Sequence, residues 1–208
     1  MKTIGYFLRR IPFTLLMLAG LVIGALVTNT YFEQITRHWL NRTGFASNDL
    51  WYWRLERMFT SALVTLGGKV FWAAILMVAV IVGLAEWMTG WRRTAATFWG
   101  VHLLTLILLS LIISLLLHQL RAFGVEASIV ARDVGPSAGY FACLGLVSAR
   151  LKRPWHWVVS GGILVILFAI ALFGPAIAGE SAQLKFSADL AHLLAFPLGW
   201  FSAELGCK

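Results

Sequence analysis

The chain has 208 residues, of which 60% are hydrophobic and only 12% are charged, and its mean hydropathy is +0.81. This composition excludes a soluble globular domain, because the surface of such a domain must be covered largely by polar groups. The formal net charge of +8 does not indicate nucleic-acid binding, because many of the basic residues lie in short loops between apolar runs, where positive charge orients transmembrane helices. We therefore expect a lipid bilayer, and no nucleic acid, as its partner.

Apolar runs recur along the whole chain, and they are continuous, without the alternation of β-barrel strands. Backbone polar groups inside a bilayer must be paired within their own segment, so runs of this kind are expected to be helices. The pattern predicts an all-α membrane protein with one domain over residues 1–208. Its transmembrane helices are expected at about residues 11–27, 70–85, 98–117, 137–149, 158–177 and 188–203.

The ends of the first run bear on how the chain is inserted. Basic residues precede this run, as in a signal peptide, but it is longer than a typical signal core and no small-x-small cleavage site follows. We therefore expect an uncleaved first helix. Residues 28–57 are rich in Trp and Arg, which predicts a segment in the membrane interface. Later loops with Arg92, Arg93 and Arg150 place both termini inside by the positive-inside rule.

Ser137 is a candidate functional residue, because polar residues inside a membrane are costly and often functional. It lies in the sequence Gly135-Pro136-Ser137-Ala138-Gly139, at the predicted start of the fourth helix. Small neighbours expose a hydroxyl to a substrate, and free backbone N–H groups at a helix start can stabilise an oxyanion. From the spacing alone, a helix cap is the commoner role for such a serine.

His192 is the second candidate, about one turn into the sixth predicted helix, which runs in the same direction as the fourth. Ser137 and His192 are therefore expected at similar depth near the outer face, and contact between their helices would allow a Ser–His dyad. A lone histidine there is more often a packing or interfacial residue. Asp189 shares the helical face of His192 and either orients its ring or, more commonly, caps the helix.

Together these features resemble the rhomboid family of intramembrane serine proteases. In that family a G-x-S motif opens a short fourth helix and a histidine in the sixth helix is the general base, so the resemblance implies Ser137 as nucleophile and His192 as base. Gly145, Ala195 and Gly199 match small positions that let these two helices pack closely. The resemblance extends from about residue 53 to the C-terminus, more loosely in residues 57–63, Gly67, Gly68, Glu86 and Gly90.

The second predicted helix departs from the family pattern. Active rhomboids usually carry a histidine and, four residues later, an asparagine that assist the oxyanion, whereas the corresponding residues here are Phe71 and Ile75. Neither side chain donates a hydrogen bond. The usual glycine after the serine is replaced by Ala138, and Pro197 is expected to interrupt the sixth helix.

Support for an oxyanion is therefore expected from the backbone around Gly135, Ala138 and Gly139. His118, at the outer end of the third predicted helix, is a substitute donor, although an interfacial role is commoner for a histidine at a helix end. His102, nearer the inner end of that helix, is expected to lie too deep to take part.

Two functions fit the sequence. The first is an intramembrane serine protease that cleaves transmembrane segments of other proteins near the outer face. The second is a rhomboid-like protein without proteolysis, which binds partner transmembrane helices as an assembly factor or a subunit of a membrane complex. Neither requires a metal or an organic cofactor. Compactness and the absence of targeting features indicate a bacterial inner membrane.

Overall fold

The computed structural model describes residues 9–122, 132–177 and 182–204, and every regular element in these ranges is helical. The all-α fold predicted from the sequence is therefore confirmed for them. A short 3-10 helix, Ser47–Asp49, lies between the second and third helices. The α-helices are α1 Pro12–Thr28, α2 Arg37–Thr43, α3 Glu56–Leu63, α4 Lys69–Thr89, α5 Trp91–Ala122, α6 Ser137–Ala149, α7 Trp155–Ile177 and α8 Ala182–Glu204, and α4 contains a π-helical stretch at Val78–Val82.

Three of the described helices are long and apolar enough to cross a membrane, namely Lys69–Thr89, the Trp91–Ser114 part of α5, and Trp155–Gly174 within α7. They expose large apolar side chains, such as Val165, which is 69% exposed. Apolar surface on helices of this length is typical of segments that face lipid. The chain is therefore a membrane protein, as its composition predicts. Helices α1 and α6 are also apolar but shorter.

Several predicted helix ends are wrong, because hydropathy marks the lipid-facing part of a helix and not its full hydrogen-bonded length. Helix α5 begins at Trp91 rather than near residue 98, and α8 begins at Ala182 rather than near residue 188. The expected interruption at Pro197 is also wrong, since α8 continues through that residue. A proline removes one backbone donor, and packing on both sides of α8 tolerates that loss.

The segment between α1 and α4 folds around the buried carboxylate of Asp49. This carboxylate accepts hydrogen bonds from Arg57 at 2.8 Å and from Arg132 at 2.7 Å. Phe45 and Asp133 exchange two backbone hydrogen bonds, at 3.0 and 2.9 Å. Since only residues 134–136 separate Asp133 from α6, these contacts hold the chain just before α6.

Candidate active site around Ser137 and His192

The start of α6 presents the Ser137 side chain without using it as a cap. Gly135 has φ 139°, a region that favours glycine, and its N–H donates to the Ser61 carbonyl at 2.7 Å. Pro136 occupies the cap position, and α6 begins at Ser137 itself. In the described part of the chain the Ser137 hydroxyl makes no hydrogen bond. The capping role that spacing alone favours for Ser137 is therefore wrong.

Helices α6 and α8 touch along a line of small residues. A Cβ added to Gly145 would lie 2.1 Å from the Phe196 carbonyl oxygen, and one added to Gly199 would lie 2.0 Å from the Ala142 carbonyl oxygen. Both distances are far below van der Waals contact, so only glycine allows this approach. The close packing that Gly145 and Gly199 predict is confirmed, and it brings the helices of Ser137 and His192 side by side.

His192 is held by α6 and has a free ring nitrogen. Its ring stacks on Phe141, with ring centroids 4.4 Å apart and an interplanar angle of 30°. Phe141 is one helical turn after Ser137, so the imidazole lies at the same end of α6 as the hydroxyl. The Nε2 atom of His192 is buried and has no hydrogen-bond partner in the described ranges. No hydrogen bond joins it to Ser137 in the structure.

Asp189 lies close to His192 on the same helix. Its Oδ1 lies 4.0 Å from Nδ1 of His192, and the residue is 7% exposed. Because α8 begins at Ala182, Asp189 is inside the helix and does not cap it. The capping role expected from the sequence is therefore wrong, and the 4.0 Å separation is longer than a hydrogen bond.

The backbone of α6 offers donors for an oxyanion. The first N–H groups of a helix have no acceptor within it, which applies to Ser137, Ala138 and Gly139. The N–H of Gly135 is already bonded to Ser61 and is not available. Gly139 also has a packing role, because a Cβ there would lie 2.4 Å from the ring of Phe98 on α5.

Phe71 and Ile75, which stand on α4 where active rhomboids usually carry histidine and asparagine, are packed against other apolar side chains. Phe71 is 3% exposed, and Ile75 packs against the core. Neither leaves space or a polar atom for an oxyanion. The side chain of His118, the substitute donor considered above, lies outside the described residues, although the backbone of α5 reaches past it.

A small cavity beside Ser137 brings in residues that the sequence did not assign to the site. Its volume is about 10 Å³, about the space of one water molecule, and its polar lining is formed by Ser61, His102, Asp133 and Ser137. The expectation that His102 lies too deep is therefore wrong. Helix α5 continues for about five turns beyond His102, so Ser137 lies beside the middle of α5 and not at its outer end.

Asp133 gives this cavity a titratable carboxyl group outside the membrane-spanning helices. Burial raises the pKa of Asp133 to about 6, and a hydrogen bond from the backbone N–H of Val134 lowers it in part. The carboxyl therefore changes charge within the range in which a histidine-dependent reaction is normally studied.

Comparison of the chain with protein-family models, curated proteins and solved structures finds no match. The resemblance to rhomboids rests on the motifs around Ser137 and His192.

Proposed function

We propose that this protein is a rhomboid-like intramembrane serine protease of a bacterial inner membrane. In this proposal α1, α4, α5, α6, α7 and α8 are six spans with both termini inside. Ser137 is the nucleophile, His192 is the general base, and the substrate is a transmembrane segment of another protein. The observation that carries the proposal is the position of His192: its Nε2 is buried without a hydrogen-bond partner among the described residues, and its ring stacks on Phe141, one turn after Ser137.

The proposed reaction uses these groups in order. The His192 imidazole accepts the Ser137 proton while the serine oxygen bonds to the scissile carbonyl carbon, and the N–H groups of Ser137 and Ala138 stabilise the resulting oxyanion. His192 then gives its proton to the leaving amine, and an acyl-enzyme forms. A water molecule, deprotonated by His192, hydrolyses this ester and restores the Ser137 hydroxyl.

A second candidate function is helix binding without proteolysis. Phe71 and Ile75 motivate it, because removal of one oxyanion donor typically costs about 10²–10³ in rate and these side chains supply none. In this case the surface beside α6 and α8 binds partner transmembrane helices, and Ser137 has no chemical role.

Covalent labelling of the purified protein with a fluorophosphonate probe distinguishes the two functions. We expect the wild type to be labelled, Ser137→Ala not to be labelled, and His192→Ala to react about 10²–10⁴-fold more slowly. Ser148→Ala is the matched control, since Ser148 lies on the same helix with its hydroxyl bonded to the Gly145 carbonyl at 2.9 Å. A folded wild-type protein that stays unlabelled, while a known serine hydrolase reacts in parallel, would refute the protease and favour the helix-binding function.

A further inference from the structure

His102 is a buried histidine that neither proposed function uses. It lies on α5, is 2% exposed, and its Nε2 lies 3.0 Å from the carbonyl oxygen of Met58 on α3. A carbonyl oxygen only accepts, so Nε2 carries the hydrogen of the neutral ring and Nδ1 carries a lone pair. The Met58 carbonyl therefore fixes both the tautomer and the direction of the ring.

The Nδ1 atom of His102 has no hydrogen-bond partner in the described part of the chain, although it is buried. Buried polar atoms are nearly always paired, and an exception needs an explanation. The Ser137 hydroxyl is equally without a partner, and the two residues line the same cavity of about 10 Å³.

Helices α5 and α6 pack against each other next to both residues. Gly139, one position beyond Ala138, lets the ring of Phe98 lie against the α6 backbone, and Phe98 in turn stacks on His102 with ring centroids 6.4 Å apart. The α5–α6 contact therefore sets the distance between His102 and the start of α6, as the α6–α8 contact does for His192.

We propose that His102 is a second proton acceptor at the Ser137 site, with its Nδ1 receiving a hydrogen bond from the Ser137 hydroxyl directly or through one water molecule. The inference rests on the proposed protease function. Transfer of the serine proton along this bond gives an imidazolium whose Nε2–H still donates to the Met58 carbonyl, so no hydrogen bond is lost when the ring becomes charged. Ser137 is then flanked by His102 from α5 and His192 from α8.

A cysteine at position 137 tests this contact without requiring proteolysis. The Ser137→Cys thiol is alkylated as the thiolate, and a histidine within hydrogen-bond reach shifts the pH midpoint of alkylation to lower values. The background carries Cys207→Ser, while the buried Cys143 is kept. We expect His102→Gln to raise the midpoint by roughly one pH unit. Glutamine can still donate to the Met58 carbonyl but takes no proton, so a purely structural role for His102 would leave the midpoint in place.

Matched variants separate this effect from the other charged groups around position 137. His192→Gln measures how much the proposed base on α8 contributes to the alkylation midpoint. Asp189 lies on the same helix. Asp133→Asn is combined with each histidine variant, because Asp133 lines the same cavity and its pKa is about 6. The His102 effect is expected to persist in the Asp133→Asn background.

The possible outcomes are distinct. A midpoint that rises with His192→Gln but not with His102→Gln overturns the inference and leaves the protease function intact. A midpoint that responds to His102→Gln while wild-type Ser137 ignores the fluorophosphonate supports the His102 contact and refutes proteolysis. If His102→Gln fails to fold, His102→Asn is used with the same criterion. An unchanged pH midpoint of alkylation in whichever of these two His102 variants folds counts against the proposal.

Discussion

Asp189 and His192 are three residues apart on α8, and their separation decides how the imidazole is oriented during the proposed reaction. The 4.0 Å between Oδ1 and Nδ1 is too long for a strong hydrogen bond but close enough for electrostatic stabilisation of an imidazolium. The other carboxylate oxygen, Oδ2, is buried and has no hydrogen-bond partner in the described ranges. In the proposed reaction we therefore expect Asp189 to act through His192, as a positioning residue.

Asp189→Asn is expected to slow fluorophosphonate labelling of Ser137 by roughly 10-fold, equivalent to about 1.4 kcal/mol, because the neutral amide no longer stabilises the charged ring. The labelling rate is measured against pH, and the loss should be largest where His192 must act as base. Glu204→Gln makes the same charge change at the other, exposed end of α8 and should label like the wild type. Equal labelling rates for Asp189→Asn and the wild type would show that Asp189 contributes only to packing.

Individual site residues differ in how far the sequence could predict them. Ser137 and His192 are recognisable because each is polar within an apolar run and has small neighbours. His102 could not be assigned, because its role depends on the Met58 carbonyl of a distant helix and a backbone carbonyl leaves no mark in the sequence. The predicted position of His102 along α5 is also wrong, because hydropathy places the start of α5 near residue 98 and the helix begins at Trp91.

At the scale of elements, the helices themselves were predictable and their junctions were not. Long apolar runs predict the helices, and Gly145 and Gly199 predict the α6–α8 contact. No sequence pattern predicts the contact between α1 and α4. The Glu86 carboxylate on α4 accepts the N–H groups of Phe13 and Thr14, at 2.8 and 2.7 Å. These are free donors at the start of α1, where the helix dipole also favours negative charge.

Glu86→Gln is expected to lower the free energy of unfolding by about 3 kcal/mol, because charge-assisted bonds to buried donors are lost and an amide N–H₂ then faces backbone N–H groups. Thermal unfolding in detergent micelles measures the change. Glu56→Gln is the control, since the Glu56 side chain is 67% exposed, and it should melt close to the wild type. A Glu86→Gln protein with the wild-type Tm would show that α1 does not depend on this carboxylate.

At the scale of the whole molecule, the two ends of the helix bundle differ in chemistry. Arg93, at the start of α5, donates to the Ser202 carbonyl near the end of α8 at 2.9 Å. The short connection from α6 to α7 carries Arg150, Lys152 and Arg153. The opposite end holds the segment between α1 and α4, with the exposed aromatic residues Trp51, Tyr52 and Trp53. The positive-inside rule predicts that the first end lies inside and the second outside.

Single cysteines test this orientation, because a membrane-impermeant maleimide reaches only thiols on the outer side of sealed cells. In a Cys207→Ser background with the buried Cys143 retained, Trp53→Cys should label in intact cells, since Trp53 is 80% exposed. Lys152→Cys should label only after the membrane is opened, because α4, α5 and α6 are each proposed to cross between these positions. An odd number of crossings requires opposite sides, so labelling of both cysteines in intact cells would refute the six-span arrangement. The reverse pattern would keep the spans but invert the protein, and would place the Ser137 end of α6 on the inner side of the membrane.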